Sequence, residues 1–407
     1  MNCVGIHAYG GSLSIALSEL GFKPMIQLEA EQEHYRVASR FFGDRVVVID
    51  ENRKWSDAIK WLKGQSIDLI YGQPVWQGGR QINNDVSSID EKKDVDNFIS
   101  IVKALEPRFV VMAASKRAES QITKRIKKSF YRSDGETWYY NWSMIRTNAI
   151  LHGVPQDRDI LFVVGFKDFA DKVRFHNVLL ARVPKQLADV DEIASVWKAI
   201  EDLSEIEPTP NGTISFQANE KMQLVNNHIL PGEKNSILSR LLYESIPLLK
   251  EGDSFDDIEE RPAVVKEKGD NYFLKGQLPV RLHRNLPAPS IYSAERYIHP
   301  VLNRPMTLRE LARLFGVPNN FDLGGYYGPG LTVLGRFVPI PVSKWLFEII
   351  AETISNSGTY ESRTDNSLGD YDLFAERSRD TISELKRRHG KWVDAYAQRA
   401  LLQRNAG

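Results

Sequence analysis

The sequence predicts an α/β protein built on an open, mostly parallel sheet, and three stretches carry that prediction. The first is an apolar strand over 2–9 followed by Gly10-Gly11-Ser12 and a helix over 13–20. Strand, glycine turn and helix in this order form a nucleotide-binding opening. The second is a strand over 25–28 that ends at Glu29, where an acidic residue commonly takes ribose hydroxyls. The third is Asp-Leu-Ile-Tyr-Gly-Gln-Pro-Val-Trp-Gln-Gly-Gly-Arg, from Asp68 to Arg80. It reads as a buried strand over 69–71 ending in a Gly/Pro turn. In open α/β sheets, ligands sit in the loops at the carboxyl ends of the strands.

The bulk properties narrow the class. The chain has 407 residues, 42% of them hydrophobic, enough for one large core and a smaller domain. Its 53 basic and 53 acidic residues balance. That neither demands nor excludes nucleic acid, because a local basic face suffices. Cys3 is the only cysteine; in an apolar strand it reads as a small core residue, and no disulfide can form within the chain. The N-terminus lacks a basic region before Gly10-Gly11, so it is not read as a signal peptide. No apolar run reaches membrane-spanning length. A cytoplasmic or nucleoid-associated, intracellular protein without a metal site and without a membrane is expected.

The stretch at 68–80 resembles the catalytic loop of the DNA cytosine-5 methyltransferases, Asp-Leu-x-x-Gly-Gly-Pro-Pro-Cys-Gln-Gly. Asp68, Leu69, Gly72, Pro74, Gln77 and Gly78 match it. Trp76 stands in place of the nucleophilic cysteine and Val75 in place of the second proline. Further motifs follow in family order. Gly5-Ile6-His7-Ala8-Tyr9-Gly10-Gly11-Ser12 resembles Asp-Leu-Phe-Ala-Gly-x-Gly-Gly, with His7 replacing the phenylalanine and Tyr9 the first glycine. Gly21-Phe22 and Leu28-Glu29 fall in step, and Glu29 matches the ribose-binding glutamate. Asp50, after a strand over 46–49, stands where the family often places a carboxylate for the adenine edge; it reads equally as a surface turn. Ala113-Ala114-Ser115 replaces Glu-Asn-Val, whose glutamate holds the target cytosine. Gly153 to Ile160 resembles Gly-Val-Pro-Gln-x-Arg-x-Arg, keeping Gln156 and Arg158 and replacing the last arginine by Ile160. Arg281-Leu282-His283 and Pro287-Ala288-Pro289-Ser290-Ile291 continue the match, as do His299-Pro300 and Arg304-Pro305. The last motif carries Arg336 where the family has the asparagine that helps shape the cofactor pocket.

The resemblance implies an S-adenosylmethionine-dependent methyltransferase-like (Rossmann-like) sheet with a second, smaller recognition domain across a cleft. The expected boundaries are 1–167 for the sheet domain, completed by 330–355, then 168–329 for the small domain with a short target-recognition segment. Residues 356–407 form a linker and a helical tail. The tail carries Lys386-Arg387-Arg388-His389 and Lys391; it packs back on the body or meets a protein partner or DNA. The polar stretch over 81–93 reads as a mobile loop, which in the family closes over flipped-out bases.

Carbon-5 methylation needs a thiolate to attack carbon 6, an acid at the ring nitrogen and help at the carbonyl. Trp76, Ala113 and Ile160 supply none of these, so no catalytic residue is assigned and a non-enzyme is expected. Gly11, Glu29 and Asp50 are the cofactor candidates, in a pocket altered by His7, Tyr9 and Arg336. The expectation is that no cofactor binds, with S-adenosylmethionine the one candidate. Double-stranded DNA is the expected partner. Gln77, Arg80, Gln156, Arg158, Lys266, Lys268, Lys275 and Arg284 are candidate DNA contacts, although the three lysines read equally as ordinary surface residues. Trp76 either stacks on a flipped base or plugs the empty pocket. Three functions remain open: an inactive methyltransferase-like protein that binds DNA as a sequence or modified-base reader or as the regulatory or recognition subunit of a complex, an enzyme of different chemistry on DNA bases using His7, Glu29, Gln77, Asp85 and Arg158, or a protein-interaction module without DNA binding.

Overall fold

The computed structural model describes residues 1–22, 24–50, 54–74, 87–130, 140–184, 193–212, 216–218, 224–232, 236–269, 272–273, 278–292, 296–355 and 370–373. Its chain divides into two compact units.

The first unit comprises Met1–His152, Asp159–Pro184 and Arg336–Leu373. It opens with β1 (Cys3–Ile6), α1 (Ser12–Glu19), β2 (Pro24–Glu29), α2 (Gln32–Phe42) and β3 (Val46–Val48). It continues with α3 (Trp55–Leu62), β4 (Leu69–Gly72), α4 (Ser87–Leu105), β5 (Phe109–Ala114), α5 (Glu119–Phe130) and β6 (Asn141–Asn148). After β7 (Gln156–Asp157), which belongs to the second unit, come β8 (Asp159–Phe166) and α6 (Phe169–Ala181).

The second unit holds α7 (Val196–Ile200), β9 (Phe216–Ala218), β10 (Leu224–Asn226), α8 (Ile237–Ser245) and α9 (Ala263–Lys268). Three two-residue strands follow, β11 (Val280–Arg281), β12 (Ala288–Pro289) and β13 (Tyr297–Ile298), then α10 (Leu308–Arg313) and α11 (Tyr327–Gly335). The chain returns to the first unit for α12 (Ile340–Ser355) and β14 (Asp370–Asp372).

The sheet of the first unit runs β14-β6-β8-β5-β4-β1-β2-β3. All its pairings are parallel except those of β8, which is antiparallel to both β5 and β6. Strands β1, β4 and β5 are buried along their whole length, as expected for a parallel sheet covered on both faces. On one face Phe98, Ile101 and Val102 of α4 join Ile122 and Ile126 of α5 against Ile70, Val110 and Met112. Helices α1, α6 and α12 pack together, and Phe347 of α12 meets Tyr71 edge-on at 5.9 Å.

The structure moves several expected boundaries. Helix α6 lies in the first unit, which therefore runs to Pro184 rather than 167. Its buried Phe175 packs at a tilt against Phe166 of β8 at 5.0 Å, so the apolar face cannot leave the sheet. Gly153–Arg158 belongs to the second unit, because β7 pairs with β12. Helix α4 begins at Ser87, inside the stretch read as a loop. Asp370–Asp372, read as linker, is a strand parallel to Met144–Arg146 of β6. The expected helical tail beyond Leu373 lies outside the described residues.

The second unit is tied by Arg309, fully buried on α10. It donates to the carbonyls of Asn226, Pro318 and Phe321 and to Asn227 Oδ1. Thr307 caps α10, accepting from the Glu310 amide at 3.1 Å while Glu310 accepts from the Thr307 amide at 2.8 Å, a reciprocal capping box.

Gly72, at the end of β4, sits so close to β1 that a Cβ there would lie 1.8 Å from the Ile6 carbonyl oxygen. Backbone cannot yield as a side chain tip can, so Gly72→Ala should destabilise the fold by at least about 3 kcal/mol. Urea unfolding measures this; a loss below about 1 kcal/mol would mean that the β1–β4 spacing relaxes freely.

Candidate active site

The loops at the carboxyl ends of β1, β2 and β4 build the site of the first unit. After β1 the chain turns through left-handed backbone at His7 (φ 51°), Tyr9 (φ 45°), Gly10 (φ 79°) and Gly11 (φ 105°). Glycine adopts this freely; a bulkier residue pays roughly 1–2 kcal/mol. The turn is held by His7 N–H to Leu28 O (2.9 Å), Gln73 N–H to His7 O (3.0 Å) and Gly11 N–H to Ala8 O (3.0 Å). Gly11 then caps α1, with the Phe42 ring 2.6 Å from where its Cβ would be.

Tyr9 keeps the backbone of a glycine but fills the glycine's space with a buried ring. His34 of α2 meets that ring edge-on at 4.8 Å. The Arg336 guanidinium lies over it at 4.8 Å and pairs with Glu31 at 2.6 Å. On the other side His7 packs on Trp55 at 4.6 Å and stands 3.6 Å from Asp94. Burial, reinforced by the Arg336 charge, lowers both histidines to about 3, so both are neutral near pH 7 and neither forms a true ion pair.

Glu29 is buried at the end of β2. Its Oε1 accepts from Gln27 Nε2 at 2.6 Å and from the Gly10 amide at 3.2 Å. Gln27 continues inward, accepting from Ser14 Oγ at 2.5 Å, which lies 2.7 Å from the Tyr71 hydroxyl. Burial pushes the Glu29 carboxyl up to about 8 against the pull of these hydrogen bonds. Asp50 is exposed after β3.

Gln73, which sequence reasoning passed over, occupies the second glycine position of the Gly-Gly-Pro-Pro motif. It is fully buried, donates to the Arg336 carbonyl at 2.8 Å and accepts from Ser12 Oγ at 3.3 Å. Its departure from the glycine pattern was the available signal. Trp76, Gln77, Arg80 and Asp85 lie outside the described residues. Ala113 and Ala114 are fully buried in β5 opposite Phe162 and Leu161, and Ile160 is buried in β8 opposite Thr147.

Two expected DNA contacts are corrected. Gln156 and Arg158 are buried scaffold residues of the second unit. Arg158 donates to the carbonyls of Ile291 (2.6 Å) and Gly335 (2.7 Å) and to Gln156 Oε1 (3.2 Å). Gln156 donates to Leu314 O at 3.1 Å. With these donors used internally, neither side chain is presented to DNA. Lys266, Lys268 and Arg284 each meet a glutamate, respectively Glu260 (2.8 Å), Glu267 (2.9 Å) and Glu251 (2.8 Å), so their charge is locally matched. Lys275 lies outside the described residues. In the first unit, Lys124, Lys127 and Lys128 are exposed on α5 while Ile122, Ile126 and Phe130 are buried. Their three- and four-residue spacing was the signal for this basic face.

A parallel sheet whose one antiparallel strand stands third from its edge, a glycine turn after β1 and an acidic residue closing β2 define a methyltransferase-type α/β protein. The chain belongs to the C-5 cytosine-specific DNA methylase family, whose model matches residues 1–352. It is 25% identical over 350 residues to the type II methyltransferase M.DdeI of Desulfomicrobium norvegicum, covering 80% of each chain. It is 22% identical to M1.HphI of Haemophilus parahaemolyticus, covering 88% of this chain and 87% of that one. A solved structure described as a DNA modification methyltransferase encoded within an E. coli prophage superposes with a TM-score of 0.65 at 18% identity, covering 88% of this chain and all of that one.

These findings overturn the expectation of a non-enzyme: the family and the relatives named as type II methyltransferases point to an enzyme. Nor does the expected absence of a cofactor follow from the family, which depends on S-adenosylmethionine. The residues in place do not fit that cofactor as they stand. The buried Tyr9 ring fills the position that the resemblance gives to a glycine. Among the described residues no helix is long and apolar enough to cross a membrane, and no cluster suited to a metal occurs.

The raised carboxyl of Glu29 gives a pH test. Between about pH 4.5 and 8 the folded chain holds a proton at Glu29 that the unfolded chain has released, so this group's contribution to stability falls as pH rises. Each unit of upward shift is worth about 1.4 kcal/mol. Glu29→Gln should remove that part of the slope, leaving the variant more stable than the native chain at pH 8.5 relative to pH 5. Urea unfolding at both pH values checks it; parallel slopes in the two proteins would show that Glu29 titrates as an ordinary carboxylate.

Proposed function

We propose that this chain is the DNA-recognising component of a DNA-modification enzyme, reading a duplex sequence or a modified base, and that any thiolate used for carbon-5 methyl transfer comes from outside the chain. One observation carries the second half. Cys3, the only cysteine in the sequence, is fully buried in β1, and burial pushes its thiol up to about 12. A thiol that is neither ionised nor accessible is no nucleophile. The C-5 cytosine-specific DNA methylase family and the relatives named as type II methyltransferases support the first half. A second reading is an enzyme acting on DNA bases by other chemistry on the same scaffold. The pairing of the buried His7 with Asp94, 3.6 Å apart in a region the family devotes to its cofactor, is the observation that favours it.

Duplex affinity measured by fluorescence anisotropy should fall steeply with salt, by about 0.9 logarithmic units per phosphate contact. Lys124, Lys127 and Lys128 replaced together by Gln should flatten that slope by about three contacts' worth. Lys266 and Lys268 replaced by Gln should flatten it by less than one, since Glu260 and Glu267 already match their charges. Absence of binding to every duplex tested, modified ones included, would end this reading. Mass spectrometry of the bases after incubation with the chain and S-adenosylmethionine separates the two readings: an altered base produced by the chain alone favours the second.

A further inference from the structure

The cofactor region carries more than a set of substitutions. Tyr9, His34, Glu31 and Arg336 come from the β1 turn, α2 and the segment before α12, and they close on one another. The Tyr9 ring makes an edge-to-face contact with His34 and lies under the guanidinium of Arg336, each centred 4.8 Å away. Glu31 takes Arg336 Nη1 at 2.6 Å and stands 3.5 Å from His34 Nδ1. The backbone of Arg336 is fixed by Gln73 Nε2 at 2.8 Å, and Gln73 is tied to Ser12, which accepts from the Val338 amide at 3.3 Å. Two of the substituted positions, Tyr9 and Arg336, thus make a direct contact with each other. A merely decayed pocket needs no such contact.

We propose that this is an internal latch: the Tyr9 ring, clamped by Arg336 and His34, closes the S-adenosylmethionine pocket and excludes the cofactor from the resting chain. Two features make the closure reversible. The Tyr9 backbone remains in a conformation that glycine adopts without strain, so removing the ring leaves the turn able to form. The Arg336–Glu31 pair is partly exposed, with the two side chains 32% and 48% accessible, and exposed pairs are weak. Opening the pocket therefore requires loss of ring packing rather than rebuilding of the sheet.

The test is calorimetric titration of the full chain with S-adenosylmethionine and with S-adenosylhomocysteine. The native chain should bind either more weakly than about 100 μM. Tyr9→Gly combined with Arg336→Asn restores the residue types the resemblance assigns there and should bind at least about tenfold tighter. If that variant does not fold by circular dichroism, Tyr9→Asn with Arg336→Asn replaces it, since asparagine tolerates left-handed backbone. Low-micromolar binding by the native chain overturns the latch, and so does a folded opened variant that gains nothing. Duplex affinity measured on the same proteins should not change, so a failure of DNA binding shows up separately from a failure of the latch.

Discussion

The left-handed turn from His7 to Gly11 is the constraint on which the site depends. Its His7 N–H donates to the Leu28 carbonyl of β2 and its His7 carbonyl accepts from the Gln73 N–H after β4, so three strand ends are fixed by one turn. Because two of its four left-handed positions are not glycine, the turn stores strain that the surrounding packing must offset. The Tyr9 and His7 rings supply that packing, and their bulk decides what space is left at the carboxyl end of the sheet.

The same turn links two polar systems of different character. Toward the core, Gly10 meets Glu29, and the chain of Gln27, Ser14 and Tyr71 runs inward from it, buried and fully hydrogen-bonded. Toward the surface, Arg336 and Glu31 face water. A buried network is worth more than its pairs and tolerates no missing member, whereas the outer pair is tunable. Rigidity thus lies beneath the site and adjustability above it.

Much of this was legible in sequence. The buried strands, the glycine turn and the order of motifs fixed the sheet and its family, because hydrophobic runs and turn residues act locally. Glu29, Tyr9 and Arg336 could be placed in their motifs, and the structure brings them to the end of β2, the turn after β1 and the segment before α12. What did not follow was which side chains are consumed inside the fold. Gln156 and Arg158 match a motif, and a motif match does not distinguish a ligand contact from a carbonyl clamp. Only the tertiary placement of Ile291, Leu314 and Gly335 shows that their donors are already used. The charges of Lys266, Lys268 and Arg284 were visible, but two of their partners, Glu260 and Glu251, lie six or more residues away in the chain, beyond helical spacing rules. The direct Tyr9–Arg336 contact joins positions more than three hundred residues apart and has no local signature at all.

The short strand β14 has a consequence for how the sheet ends. An unpaired strand edge is a template for another chain and invites aggregation. By lying parallel along β6, the backbone of Asp370–Asp372 covers part of that edge. At the opposite border stands β3, only three residues long, and brevity is itself a defence against strand addition. Both margins are thus formed by strands of three residues, so that a wide sheet terminates at both sides without offering a long flat edge.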